Sequence, residues 1–148
     1  MDKFDVIIVG AGLAGLSAAY VLAKEGIEVV IIERGDYPGA KNVTGGRLYV
    51  NPVRQYLPDI WDDAPLERHV TNEMVTMMSP DNSVSMRFRS DKFDQKPYHS
   101  YTVLRATFDR WLAAQAEKAG AMLVTKNRVD DVIKEQGKVI GVVTAGEE

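Results

Sequence analysis

Apolar positions along the chain follow two periods, and the places where one gives way to the other mark the elements. Phe4–Val9 reads FDVIIV, a near-continuous β-branched run of the kind buried on both faces of a parallel sheet, and it predicts a first strand. From Leu13 to Glu25 the apolar residues Leu16, Ala19, Tyr20 and Ala23 recur at helical spacing. Lys24 stands in the last turn and Gly26 is free to take the left-handed position beyond it, so a helix ending at Gly26 is expected. Glu28–Glu33, EVVIIE, repeats the strand pattern. A strand, a crossover helix and a second strand within about 30 residues predict a right-handed βαβ unit with parallel, neighbouring strands.

Arg34–Gly46, RGDYPGAKNVTGG, has no period and is rich in glycine and polar residues, so it is expected to be a long loop. Long structureless connections in compact domains are usually functional, which makes this loop a candidate ligand-contacting segment. After Asn51-Pro52 a short helix is expected to carry Val53 and Leu57. Alternation on both sides of Ser79-Pro80-Asp81-Asn82 predicts a β-hairpin between Arg68 and Arg89, within an excursion over residues 65–100 that belongs to a second layer.

Tyr101–Leu104 is strand-like and leads into a helix in which Phe108, Trp111, Leu112, Gln115, Ala116 and Ala119 share one side before Gly120. Ala121–Val124 is expected as a third parallel strand. Arg128–Lys134 and Val139–Thr144 should then form a hairpin turning at Gln136-Gly137-Lys138. The fold class is therefore α/β: a Rossmann-like dinucleotide-binding domain with a parallel sheet and a β-hairpin layer. Further strands of a doubly wound sheet are expected after residue 148, so the chain reads as the truncated amino-terminal part of one domain.

Composition narrows the function. The 148 residues are 45% apolar and 26% charged, with a formal charge of -3 whose acids and bases are interspersed, which argues against disorder and against a nucleic-acid binder. Cysteine is absent, so a disulfide framework, a thiolate nucleophile and an iron-sulfur cluster held by this stretch are excluded. Redox chemistry would have to come from an organic cofactor. The longest apolar runs are too short to span a bilayer and no basic leader opens the chain, so residence in the cytoplasm is expected, with any membrane attachment peripheral and through other segments.

The chemistry lies in Gly10-Ala11-Gly12-Leu13-Ala14-Gly15, a GxGxxG between a strand and a helix. Gly10 permits the tight turn, Gly12 lets a pyrophosphate approach the backbone, and Gly15 allows close helix-strand packing. The helix N-terminus favours the phosphates without a basic side chain, and Leu13 and Ala14 contribute amides there. Glu33 ends the second strand roughly 20 residues on, where a carboxylate accepts hydrogen bonds from both ribose hydroxyls of an adenosine and repels a 2′-phosphate. NADP is disfavoured, Arg34 beside Glu33 being the one contrary sign. A plain NAD domain would continue with another βα unit. The glycine loop and hairpin layer that follow instead favour FAD.

The segment DVIIVGAGLAGLSAAYVLAKEGIEVVIIERGDYPGAKNVTGGRLY resembles the start of FixC-type flavoproteins, relatives of electron-transfer flavoprotein:quinone oxidoreductase and of geranylgeranyl reductases. PGAKNVTGGRLY is the part specific to that branch, and the resemblance continues through VLRATFDRWLAAQAEKAGA over essentially the whole chain. It implies a bound FAD that takes electrons from an electron-transfer flavoprotein and passes them towards a quinone or a ferredoxin-like protein. It also implies that Gly10, Gly12, Gly15 and Glu33 hold pyrophosphate and ribose, that Gly45, Gly46 and Arg47 border the ribityl and flavin side, that Arg105 lies near the pyrophosphate, and that Val129 lies on the strand passing the adenine. Leu13 stands where many relatives carry proline. The family completes its FAD site, substrate region and electron exit beyond residue 148, so these residues alone are not expected to turn over.

Two other functions fit the same motif: reduction of isoprenoid double bonds with FAD, and a non-catalytic dinucleotide-binding module that self-associates through an unpaired sheet edge. Arg47 and Arg105 could instead be solvated or paired with acids, as surface arginines usually are, but phosphate geometry tilts the balance towards the cofactor. His69 and His99 have no ligand-spaced partner and point to no metal. Met74, Met77, Met78 and Met86 form a soft apolar face on the hairpin, expected to serve packing and to lie exposed where the rest of the protein does not cover it; Trp61 and Trp111 are expected to anchor the core, and Asp109 to complement the helix dipole.

Overall fold

The computed structural model describes residues 3–145. In chain order these form β1 (Val6–Val9), α1 (Leu13–Lys24), β2 (Val29–Ile32), β3 (Gly45–Tyr49), α2 (Asn51–Arg54), β4 (Asn72–Met78), β5 (Ser83–Arg89), a 3-10 turn (Asp91–Asp94), β6 (Ser100–Leu104), α3 (Arg105–Lys118), β7 (Met122–Val124), β8 (Arg128–Glu135) and β9 (Lys138–Ala145). They divide into two compact units. One comprises residues 3–44, Asp59–Pro65 and residues 105–145, the other Gly45–Pro58 and Leu66–Leu104.

The first unit is built on a three-stranded parallel sheet in the order β1-β2-β7, with Val6 opposite Val29 and Ile31 opposite Leu123. Both crossovers run in the same direction across this sheet, so right-handed connections put α1 and α3 on one face, where they pack against each other. The four residues predicted as the buried side of α1, Leu16, Ala19, Tyr20 and Ala23, are the four that are buried. Gly26 takes φ +79° and closes the helix as expected. In α3, Phe108, Leu112, Ala113 and Ala116 face the core, whereas Trp111 is only half-buried and donates its indole N–H to Asp63 Oδ1 at 3.3 Å. Trp61 is buried as expected, its ring 6.3 Å from that of Trp111.

Among the described residues only β2 is a strand buried along its full length. Position in the sheet explains why β1 is not: among the described residues it is an edge strand, and Ile7 and Val9 remain exposed despite a composition as apolar as that of β2. The β8–β9 hairpin turns through Gln136 at φ +49° and Gly137 at φ +80°. Positive φ at both central residues is the two-residue turn that matches strand twist.

In the second unit β3 pairs antiparallel with β6, and β4 with β5 in a full seven-residue register from Asn72↔Arg89 to Met78↔Ser83. The long loop is thus shorter than its composition suggests. Gly45 and Gly46 open a strand, because Val103 and Leu104 of β6 offer a partner that no local pattern shows. Val50, Leu57 and Val103 form the buried apolar part of this unit. Met74, Met77, Met78 and Met86 all lie exposed on the β4–β5 ribbon, the outcome expected where no further segment covers this face. No helix among the described residues is long and apolar enough to cross a membrane.

Leu16 is completely buried under α1. Leu16→Ala is expected to lower the unfolding free energy by about 2–5 kcal/mol, read from the midpoint of denaturant unfolding. A loss below about 1 kcal/mol would mean that the space it fills is not core.

Candidate functional site

The glycine-rich turn begins where β1 ends. Gly10 takes φ +96°, a conformation that L side chains rarely adopt, and its N–H donates to Ile32 O at 2.8 Å, holding the turn against the end of β2. Gly12 is the N-cap of α1, in extended conformation and without a side-chain cap. A Cβ on Gly12 would meet nothing within 4 Å, so open space lies over the N-terminus. Leu13, Ala14 and Gly15 open the helix, and amides at these positions have no intrahelical acceptor. Gly15 serves packing: a Cβ there would run into the carbonyl oxygen of Gly10 and the side chain of Ile8.

Glu33 follows β2 and is fixed by its backbone, its N–H donating to Val124 O at 2.8 Å and its carbonyl accepting from Asn127 N at 3.0 Å. Its carboxylate bridges the two loops beside it. Oε2 accepts from Ala11 N at 2.8 Å, inside the glycine turn, and Oε1 accepts from Gly35 N at 2.7 Å. Each carboxylate oxygen has two lone pairs, so one per oxygen remains for a sugar hydroxyl. The acid is therefore both a strut and a possible acceptor.

A cleft of about 300 Å³ lies here, lined by Val9, Gly10, Ile32, Glu33, Arg34, Asn127 and Val129, among others. It brings together Gly10, Glu33, Arg34 and Val129, four residues singled out from the sequence. It adds Asn127, which the sequence did not mark because asparagine in a Thr-Lys-Asn connection reads as an ordinary turn. Asn127 follows Lys126, held at φ +55°, and its side-chain oxygen is buried with no hydrogen-bond partner. A larger cleft of about 550 Å³ in the second unit is lined by Thr71, Asn72, Arg87, Arg89 and Asp91, among others, with no glycine in its lining.

A dinucleotide fits these residues: free amides and open space at Gly12 suit the diphosphate, unused carboxylate lone pairs at Glu33 suit the ribose, and Asn127 is a polar group lacking a partner. Among the described residues no three His, Asp or Glu side chains cluster as a metal would require.

The two arginines singled out from the sequence are both held by carboxylates. Arg105 opens α3, and its Nε and one terminal nitrogen donate to Asp109 Oδ1 and Oδ2 at 2.9 and 3.0 Å. That hydrogen bond raises the Arg105 guanidinium above its ordinary pKa, against a smaller effect of burial. Asp109 was expected to complement the helix dipole. It lies instead in the second turn with no exposed surface, too far along α3 for the dipole to matter, and is stabilised by direct donors.

Arg47 belongs to the second unit with Gly45 and Gly46. A Cβ on Gly45 would stand 2.8 Å from Val103 O, so this glycine allows the β3–β6 approach. Arg47 donates Nε to the buried Ser100 Oγ at 2.9 Å and pairs with Glu73 at 2.6 Å, its guanidinium lying 4.4 Å from the Tyr49 ring centroid. One terminal nitrogen is buried and unpartnered. Glu73 also accepts from Tyr49 Oη at 3.0 Å, and these two hydrogen bonds, that from Arg47 foremost, hold its carboxyl below the ordinary pKa. His69 contacts Asp94 at 2.7 Å and stacks on Tyr98, which are packing roles.

A β-α-β turn of this kind, with an acid at the end of its second strand, defines a dinucleotide-binding domain. The chain belongs to the FAD dependent oxidoreductase family, which matches residues 5–148, and FAD is its cofactor. It is 49% identical over 146 residues to the protein FixC of Escherichia coli K12, covering 99% of this chain and 34% of FixC. It is 46% identical over 141 residues to a probable electron transfer flavoprotein-quinone oxidoreductase of the same organism, covering 95% of this chain and 33% of that protein. Among solved structures, a geranylgeranyl bacteriochlorophyll reductase-like protein of Thermoplasma acidophilum superposes with a TM-score of 0.80 and 30% identity, over 97% of this chain and 35% of the other. The chain thus spans about a third of the length of these relatives.

Gly15→Ala is expected to cost about 1–3 kcal/mol of stability, seen as a lowered melting temperature, because the added methyl must displace the Gly10 carbonyl. An unchanged melt would show that turn and helix are not in contact. Because the folded-state pKa of Glu73 is depressed, its contribution to stability is present above the ordinary carboxyl value and is lost as pH falls through the lowered one. Carboxyl NMR should show Glu73 titrating below its ordinary value, and Arg47→Gln should return it upward.

Proposed function

We propose that this chain is the FAD-binding portion of a flavoprotein oxidoreductase that accepts electrons from an electron-transfer flavoprotein and passes them to a quinone or a ferredoxin-like acceptor. The observation that carries the FAD part is the Glu33 carboxylate joined to the glycine turn at Ala11, with an accepting lone pair left on each oxygen. In this reading the amides of Gly12, Leu13, Ala14 and Gly15 bind the diphosphate, Glu33 orients the adenosine ribose, and Asn127 and Val129 border the adenine. Arg105 supplies a cation for the diphosphate, and Gly45, Gly46 and Arg47 lie towards the ribityl and flavin side. A carboxylate at the ribose excludes a 2′-phosphate, which favours FAD over NADP.

The flavin ring of a bound FAD supplies the redox chemistry, and the protein binds and orients it. Electron transfer is favoured over other reactions by the 49% identity to FixC and the 46% identity to a probable electron transfer flavoprotein-quinone oxidoreductase. The likeness to a geranylgeranyl bacteriochlorophyll reductase-like structure supports a second reading, reduction of an isoprenoid double bond. By themselves these residues are proposed to hold the nucleotide without turning over.

The test uses the protein at its natural length. Purified protein should carry a flavin spectrum that bleaches on mixing with a reduced electron-transfer flavoprotein and recovers on adding a quinone or oxidised ferredoxin. Recovery only with an isoprenoid alkene would select the second reading, and retention of NAD with no flavin would reject both. Glu33→Ala is expected to weaken FAD binding by about 1.5–3 kcal/mol, the range for hydrogen bonds to a charged group, measured by titrating deflavinated protein. Unchanged affinity would remove Glu33 from the site.

A further inference from the structure

Asp109 is a fully buried carboxylate in the middle of an otherwise apolar helix face, beside Phe108, Leu112 and Ala113. Burying a carboxylate is costly unless donors surround it, and here three do so. Arg105 contributes Nε and a terminal nitrogen in a two-bond fork, and Asn42 contributes Nδ2 to Asp109 Oδ2 at 2.6 Å. Asn42 comes from the long loop between β2 and β3. That loop is seated on α3 at three further points. Gly39, at φ +86°, runs so close that a Cβ would stand 3.0 Å from Asp109 Cβ and 3.2 Å from Ala106 Cα. The guanidinium of Arg110 lies 3.9 Å from the Tyr37 ring centroid. Thr44 O then accepts from Arg105 N at 3.2 Å. Loop, helix start and guanidinium all converge on one side chain.

For stability alone an apolar residue at a buried helix position serves at least as well as an ion pair. What the carboxylate adds is direction. With Nε and one terminal nitrogen fixed, a planar guanidinium cannot rotate, and the N–H groups of its other terminal nitrogen keep one heading. Arg105 is partly open to solvent, its side chain 29% exposed.

We infer that Asp109 is a positioning residue for the dinucleotide: its buried carboxylate fixes the Arg105 guanidinium and the Gly39–Asn42 turn as one body, so that Arg105 meets the diphosphate already oriented. This rests on the reading of the first unit as an FAD site with Arg105 towards the diphosphate.

Protein at its natural length is deflavinated and titrated separately with FAD, ADP and adenosine. Asp109→Asn, which keeps shape and removes charge, is expected to raise the dissociation constants of FAD and ADP about tenfold, the scale of one charged hydrogen bond, and to leave adenosine unchanged. Arg105→Gln should show the same selectivity, and the double variant should be no worse than Arg105→Gln alone. Equal weakening of adenosine and ADP, or additive losses, would reduce Asp109 to a structural role and overturn the inference. FAD bound normally by Asp109→Asn overturns it while leaving the FAD reading intact, whereas failure of the unsubstituted protein to bind FAD removes both. Should Asp109→Asn not fold, Arg105→Lys keeps the charge but cannot be held by a fork. It is expected to lose ADP over adenosine by the same factor, and undiminished ADP affinity would overturn the inference.

Discussion

The carboxylate of Glu33 is the tie on which the first unit depends. Its two oxygens accept from the amides of Ala11 and Gly35, residues far apart in sequence that flank the ends of two parallel strands. Gly10 can hold a left-handed turn because its own N–H is bound to Ile32, one residue before that acid, and Glu33 is itself anchored through Val124 and Asn127. The result is a closed set of backbone hydrogen bonds around the tip of β2. A charged acceptor strengthens each bond it receives, and the partial positive charge at the start of α1 favours a carboxylate beside it. The glycine turn is thereby held in place by the protein's own hydrogen bonds.

The same device recurs around both arginines. Arg105 is forked on Asp109 and Arg47 is held between Glu73, Ser100 and the Tyr49 ring. In each case a flexible cation has lost most of its freedom, so a ligand reaching it meets a fixed array of donors. The two arginines differ in surroundings: that of Arg105 rests on a fully buried acid, while Glu73 is partly exposed and titrates in contact with solvent. Acidification therefore acts on the Arg47 network through Glu73, its depressed pKa marking where that support is lost.

Much of the architecture was legible from local pattern. The buried face of α1, the parallel pairing of β1 with β2 and of β2 with β7, the four-residue turn between β4 and β5 and the Gln136-Gly137 turn all follow from periodicity and turn chemistry, which are properties of neighbouring residues. The misreadings share a cause. Gly45 and Gly46 look like loop until β6 supplies a partner more than fifty residues away, and Ile7 and Val9 look buried until the sheet order leaves β1 at an edge. The exposure of the β4 and β5 methionines has a related origin, since packing requires an opposing surface that a strand's own composition cannot specify.

By itself, then, the sequence determined the α/β class, the glycine turn between strand and helix, and the acid at the end of the second strand, because strand, helix and turn preferences act over a few residues and the fingerprint is contiguous. Tertiary structure alone decided what the charged side chains do. Glu33 proved to be a strut as well as an acceptor, Asp109 a buried anchor for Arg105 and Asn42, and Asn127 a member of the cleft, because hydrogen bonding and desolvation depend on which groups long-range packing brings within 3 Å of one another.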